Sequence, residues 1–255
     1  QKVPGFVEAA EIVLIEASPT LRDIQSATLN GHSPRWVETP EDLDDQPLYL
    51  VANEFFDALP IRQFVRDKEG WRERLISHSN GALSFGLGPR LPQSALDDRL
   101  DDTADGDLIE DCPPLTGYMR PISHRIATFG GAALIIDYGD WRSLGDTLQA
   151  LQDHKPTTPL IAPGHCDLTA HVDFEKLALA AAPAKHSRVT PQGVFLERLG
   201  ITQRAQALAK AMSGTALETH IAAHRRLTHP SEMGNLFKVM GLYPPTQPPL
   251  PGLEP

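Results

Sequence analysis

The run Asn53-Glu54-Phe55-Phe56-Asp57-Ala58-Leu59-Pro60 concentrates more potential chemistry than any other stretch of this chain. An amide and an acid leave an apolar segment, two phenylalanines follow at once, and a third polar group and a proline close the run. Asn53 can hold the amino-acid part of a cofactor through both halves of its amide. Glu54 and Asp57 can bind a cationic substrate through charge-assisted hydrogen bonds. Phe55 and Phe56 can wall such a pocket from water. The plainer reading makes the phenylalanines core and Asp57 a turn cap. From the residues alone the two readings stand level.

Glu16 ends the apolar segment Glu11–Glu16 and precedes Ala17-Ser18-Pro19. A carboxylate there can accept two hydrogen bonds from a ribose diol. It also suits the next helix N-terminus, and by itself that simpler role is the better reading. Asp137-Tyr138-Gly139 ends a third apolar segment and would face the same rim as Asn53 and Glu54. The stretch from Gly164 to Phe174 holds Asp167, His171 and Asp173, but at no metal-ligand spacing. Asp173 reads better as a helix cap, and nothing in the sequence supports His171 as a general base.

The elements that must position these groups alternate. Glu11–Glu16, Pro47–Asn53 and Ala132–Asp137 are continuous apolar runs, the pattern of parallel strands covered on both faces. Ser18-Pro19 opens a helix and Asn30-Gly31 closes it. Three short strands at 62–66, 71–78 and 82–86, with turns at 68–70 and 80–81, predict an antiparallel insertion. Residues 89–114 read as loop and 116–129 as a helix. Further helices are predicted at 173–181, 192–199, 202–211 and 214–227, with a last strand at 236–242. The proline-rich tail, 244–255, reads as extended or disordered. The expected fold is α/β with a mainly parallel sheet, whose ligands bind past the carboxyl ends of the strands.

Bulk composition narrows the function classes. The net charge of −10 disfavours nucleic-acid binding and welcomes a basic partner. No apolar run approaches a membrane span, and no signal peptide is seen. Two cysteines, Cys112 and Cys166, are too few for a disulfide framework or zinc site and suggest buried thiols in a reducing compartment.

Several of these segments, in order, resemble the MidA family of class I S-adenosylmethionine-dependent methyltransferases. They are Leu14 to Pro19 with Leu21, Arg22 and Gln25, the run Asn53–Pro60, Ala133–Gly139, and Asp167–Phe174. Gln192-Gly193 with Phe195-Leu196-Glu197 and Met233-Gly234 with Leu236 to Val239 complete the set. The resemblance implies a Rossmann-like methyltransferase sheet with S-adenosylmethionine as cofactor. It implies a protein substrate with an arginine-bearing segment, and no metal. It places the protein in the cytoplasm of a bacterium or the mitochondrial matrix of a eukaryote, where members assist assembly of respiratory complex I.

By the same resemblance Glu16, Glu38, Thr39 and Asn53 bind cofactor. Glu54 stands next to cofactor and substrate, and Asp57, Asp137 and Tyr138 fall on the substrate side. The chemistry of methyl transfer to a guanidinium then makes Glu54 and Asp57 the candidate catalytic acids, with Phe55 and Phe56 lining the substrate pocket. Residues 1–243 then form a partial methyltransferase domain, with a β insertion at about 62–90 and an inserted helical region at about 140–230. The family's glycine-rich strand-to-helix loop has no counterpart here, and Gln1–Gly5 match the end of the helix that follows it. The chain as given is therefore expected to start partway into the fold and to bind cofactor poorly by itself. Two other readings remain. A nicotinamide-dependent oxidoreductase would use the same strand-end acid, although no GxGxxG occurs. A non-catalytic assembly chaperone would keep the fold.

Overall fold

The computed structural model describes Val3 and residues 5–255. The expectation for residues 1–5 therefore falls largely outside the described residues, with Gly5 capping a short α1, Phe6–Ala9. Strand β1, Val13–Ile15, leads into α2, Pro19–Thr28. Ser18 starts that helix by accepting from the Leu21 N–H, and Pro19 supplies a preset first turn. Strand β2, Arg35–Val37, lies parallel to β1, and the two form a separate small sheet.

Strand β3, Leu48–Asn53, leads into the insertion, which is larger than its sequence pattern. Strands β4 (Arg62–Asp67), β5 (Gly70–Ser79) and β6 (Ala82–Leu91) form the predicted meander. Strand β7, Leu108–Asp111, then pairs with β4, so the sheet reaches to residue 111 rather than about 90. The polar, proline-rich stretch between β6 and β7 hid this short strand. Phe64, Trp71, Leu96 and Ile109 give the insertion its own core.

Helix α3, Leu115–Phe129, buries Met119, Ile122 and Ile126, a one-face spacing. Its partner is β8, Gly131–Asp140, the central strand. Next come β9 (Gln149–Gln152), β10 (Lys155–Thr157) and β11 (Asp167–Thr169), a small antiparallel sheet. Strand β12, Val172–Asp173, precedes α4, Phe174–Ala180, which Asp173 caps by accepting from the Lys176 N–H. Strands β13 (Lys185–His186) and β14 (Thr190–Pro191) follow, then helices α5 (Gln192–Arg198), α6 (Ile201–Ala209), α7 (Gly214–Thr228) and α8 (Met233–Leu236). Strand β15, Phe237–Tyr243, ends the series.

The main sheet is mixed, not mainly parallel. Strands β3 and β12 run parallel to β8, whereas β15 runs antiparallel to it and carries β13 and β14 antiparallel to itself. A continuous apolar run records burial on both faces but carries no direction, so the sequence could not show the reversal. The core packs α3 and α4 on β8 and β15 through Ile135, Phe174, Leu177, Met240 and Leu242. The opposite face packs Val239 against Phe195 and Leu253. Leu253 belongs to the proline-rich tail, which is docked: the Arg188 N–H donates to the Glu254 carbonyl at 2.8 Å. Both cysteines are half-buried, and burial pushes the Cys112 thiol up to about 11. Among the described residues no helix is long and apolar enough to cross a membrane.

The register of β3 on β8 starts at Gly131, where an added Cβ would sit 2.0 Å from the Leu48 carbonyl oxygen. With φ at 109° the position also disfavours any L side chain. Gly131→Ala should lower unfolding free energy by at least about 1–3 kcal/mol, read from urea midpoints at constant m. A variant as stable as wild type would mean that this contact is not tight in solution.

Candidate functional site

Two sheet ends carry the polar groups, and no ladder joins them among the described residues. At the carboxyl end of β1, the Glu16 carboxylate accepts from the Ser18 N–H at 2.8 Å and from the Gln25 side chain at 3.2 Å. Gln25 in turn accepts from the Trp36 indole at 2.8 Å, so β2 helps to orient Glu16. Glu38 is exposed and lies 3.9 Å from Arg22. Thr39 turns both its N–H and its hydroxyl toward Asp42, at 3.1 and 3.0 Å, closing a short 3-10 turn.

The second end is built by β3 and β8. Their register sets Asn53 opposite Ile136, and the Glu54 N–H then donates to the Ile136 carbonyl at 3.0 Å. One residue further along β8 stands Asp137, with no exposed surface. Its Oδ2 accepts from the N–H groups of Phe55, Phe56 and Asp57 at 3.2, 3.1 and 3.4 Å. Its Oδ1 accepts from the Tyr138 N–H at 3.1 Å. The chain can curl around this carboxylate only because Glu54 takes φ of 51°, which costs a non-glycine residue about 1–3 kcal/mol. Asp137 was expected on the substrate side. It is instead an internal support, because its oxygens face the backbone of the turn.

Asp57 is likewise inside, at 4% exposure. The Tyr138 hydroxyl donates to its Oδ2 at 2.5 Å, and its Oδ1 is buried with no hydrogen-bond partner among the described residues. Burial raises the Asp57 carboxyl above its ordinary range against the Tyr138 hydrogen bond. Burial, then the charge of Asp57, pushes Asp137 up to about 7. Tyr138 is raised by burial and by donating to Asp57, so it stays a hydrogen-bond donor throughout the physiological range. Phe56 is core, and Phe55 packs edge-on against Phe56 and Tyr118. Asn53 and Glu54 reach the surface, and the Glu54 carboxylate has no hydrogen-bond partner among the described residues.

The sequence did not show what completes this end. The His171 and Phe237 rings stand edge-on to Tyr138 at 5.5 and 5.3 Å. Burial holds the His171 imidazole below its ordinary range. Thr169 lies next to the Tyr138 hydroxyl, and the Ala170 N–H donates to the Asp57 carbonyl at 3.0 Å. The 167–173 motif marked this segment as unusual, but only the fold brings it onto Asp57. The insertion is tied to the same place by Glu110, which accepts from Gln63 at 2.8 Å and from Thr147, while Thr147 accepts from the His171 N–H at 2.8 Å. No group of three potential metal ligands occurs among the described residues. The arrangement presents an exposed acid and amide at the strand end that also carries the buried Asp57 and its half-buried partner Tyr138. It suits holding a cation and managing a proton.

Residues 1–192 match the model of a family described as "Putative S-adenosyl-L-methionine-dependent methyltransferase". The chain is 32% identical to the Xenopus tropicalis "Protein arginine methyltransferase NDUFAF7, mitochondrial", over 94% of this chain and 63% of that protein. It is 33% identical to the Homo sapiens protein of the same name, over 91% of this chain and 58% of that protein. The chain thus spans about three-fifths of the length of these relatives. A Burkholderia thailandensis protein described as a "likely methyl transferase", crystallised with S-adenosyl-homocysteine, superposes with a TM-score of 0.78 at 27% identity. That match covers 95% of this chain and 66% of that one. A native crystal structure from the same organism gives 0.79 at 28% identity, over 95% and 68%.

The buried pair has a pH signature. Asp57 and Asp137 both hold a proton more readily folded than unfolded. Their contribution to stability is therefore fully present below the unfolded carboxyl range and is lost as pH rises, for Asp137 through about 7. Wild type should lose more stability than Asp137→Asn between about pH 5 and about pH 8, compared by urea melts. Parallel pH profiles for the two proteins would show that Asp137 titrates as an ordinary carboxylate.

Proposed function

This chain belongs to the S-adenosyl-L-methionine-dependent methyltransferase family, and from that premise we propose that it transfers a methyl group to an arginine of a protein partner. The observation that carries the reading is the turn after β3. Glu54 is held exposed, in a left-handed backbone conformation, by the buried Asp137 carboxylate. A fold retains such a conformation when the surrounding structure over-determines it, which is common at functional sites. Names of relatives that include arginine methyltransferase, and a structural neighbour holding S-adenosyl-homocysteine, favour this chemistry over hydride transfer. We read the mixed sheet as part of a class I methyltransferase sheet.

The residues present fit the cofactor. Each Glu16 oxygen accepts only one hydrogen bond, so lone pairs remain for a ribose diol. Asn53 commits its NH2 group, weakly, to the Ile136 carbonyl at 3.4 Å, which leaves its amide oxygen for an ammonium donor. Glu38 stands exposed just past β2, in the same small sheet that carries Glu16. Thr39 is a poorer candidate, because Asp42 occupies its donors. When bound, S-adenosylmethionine supplies an electrophilic methyl group on a sulfonium.

The chain's own task is to present the acceptor nitrogen and to manage its proton. Alignment can remove about 7–11 kcal/mol from such a barrier. Glu54 holds the guanidinium by charge-assisted hydrogen bonds and is the group best placed to take the proton released on transfer. Asp57, read from sequence as a second catalytic acid, acts from inside through Tyr138. A bacterial bearer would hold the protein in the cytoplasm and a eukaryotic one in mitochondria.

Calorimetry with S-adenosyl-homocysteine and a radiolabelled methyl-transfer assay on the intact protein test the reading. Glu54→Gln should lower transfer to protein by at least about a hundredfold while leaving cofactor-product affinity within about twofold. Transfer at near wild-type rate would remove Glu54 from the mechanism. Binding without transfer to any basic protein would favour a chaperone that keeps the fold.

A further inference from the structure

Resting on the methyltransferase reading, we propose that Gln25 and Trp36 are positioning residues that hold the Glu16 carboxylate as a rigid reader of both ribose hydroxyls of the cofactor. Three elements meet at this group: Glu16 follows β1, Gln25 stands on α2 and Trp36 on β2. The Ser18 N–H donates to the Glu16 Oε1 at 2.8 Å and the Gln25 side-chain amide to Oε2 at 3.2 Å, so each oxygen is held by one donor. The backbone of Glu16 is fixed as well. Its carbonyl accepts from the Arg22 guanidinium at 2.6 Å, and its N–H donates to the Val37 carbonyl at 3.0 Å. The Trp36 indole, which can only donate, bonds the Gln25 Oε1 at 2.8 Å. That bond decides which way the amide faces. With Oε1 occupied by Trp36, the NH2 group is the end left for Glu16.

A strand-end carboxylate that merely favoured the α2 N-terminus would need only the Ser18 bond. Glu16 is clamped from both sides and yet only half-buried. Helix α2 has no fully buried residue, and two of its side chains, Arg22 and Gln25, converge on this one acid. A carboxylate oxygen accepts about two hydrogen bonds, so one position remains on each oxygen for a vicinal diol. A carboxylate fixed in this way cannot turn to suit a ligand that lacks one hydroxyl, and the lost hydrogen bond is felt in full. A mobile carboxylate would turn one oxygen to the remaining hydroxyl and the other to water, and would discriminate less. The clamp therefore sets selectivity for an intact diol.

The test measures, by calorimetry on the intact protein, the affinities of S-adenosyl-homocysteine and its 2′-deoxy analogue, with adenosine and 2′-deoxyadenosine as a second pair. Wild type should prefer the intact diol by at least about tenfold in each pair. Gln25→Met keeps the length of the side chain and removes its polar groups, and should bring the preference within about threefold. Trp36→Phe keeps a ring and removes the N–H, and should have a smaller effect in the same direction. The double variant should match Gln25→Met, because Trp36 acts through Gln25. A role confined to seating α2 would weaken both members of a pair equally and leave the preference unchanged, which overturns the proposal. Additive effects in the double variant, or equal binding of both members by wild type, overturn it too. If wild type binds neither pair, the proposal and the methyltransferase reading fall together. If the preference is lost as expected but no protein accepts a methyl group, the nucleoside site stands and the transfer reading falls. If protein is methylated while Gln25→Met keeps the wild-type preference, the clamp falls and the reading stands.

Discussion

The structure around the candidate site depends on one buried carboxylate. Asp137 emerges from β8 with no exposed surface and is surrounded by four backbone N–H groups, three from the turn after β3 and one from Tyr138. An isolated buried charge costs several kcal/mol, and hydrogen bonds to the charged form offset part of that. Those same bonds bend the chain after Asn53, so the support of the carboxylate and the shape of the rim are one arrangement. It depends on register. Asn53 lies opposite Ile136, which brings the next residues of the β3 turn alongside Asp137. A slip of one residue would turn Asp137 to the other face and leave Glu54 without the contacts that hold its strained backbone.

A second layer locks the far wall. Glu110 on β7 bonds Gln63 and Thr147, Arg99 donates to the Ser143 carbonyl, and Asp173 accepts from the Ser143 N–H at 3.0 Å. These groups are buried or nearly so, and a buried polar network specifies geometry only when its members are satisfied. The insertion is therefore fastened to the exit of β8 by directional bonds rather than by apolar contact alone. Thr147 passes that constraint on to the His171 backbone, and His171 stands against Tyr138. An inserted sheet that looks peripheral in sequence thus helps fix a ring at the rim.

What the sequence made legible follows from its periodicities. Continuous apolar runs located β1, β3 and β8, and the rule that parallel strands deliver ligands at their carboxyl ends predicted Glu16, Asn53, Glu54 and Asp137 at one edge; the last three share the β3–β8 end, whereas Glu16 follows β1 in the separate two-stranded sheet. Cap chemistry located α2 through Ser18 and α4 through Asp173. Strand direction was not legible, so β15 reversed the expected parallel sheet. Side-chain direction at a strand end was not legible either, because Asp137 pointing into the turn and Asp137 pointing to solvent have the same sequence. The approach of Thr169 and His171 to Tyr138, and of Ala170 to Asp57, joins positions more than thirty and more than a hundred residues apart, and only tertiary packing records it. The docked tail was missed for a related reason. Proline density suggested disorder, whereas Leu250 and Leu253 supply enough apolar surface to seat it on α5 and β15.

The division between buried and exposed acids has a thermodynamic consequence. Asp57 and Asp137 lie close enough that the charge of one opposes ionisation of the other, so the pair retains a proton where free carboxyls would not. Glu54, by contrast, is exposed to water. A cation arriving at the rim meets charge outside and a proton reservoir inside. Its field favours the ionised form of Asp57, so cation binding and proton release from the pair promote each other by the reciprocity of linked equilibria. Tyr138 transmits that coupling, because its hydroxyl remains a donor and binds the charged form of Asp57 more strongly than the neutral one.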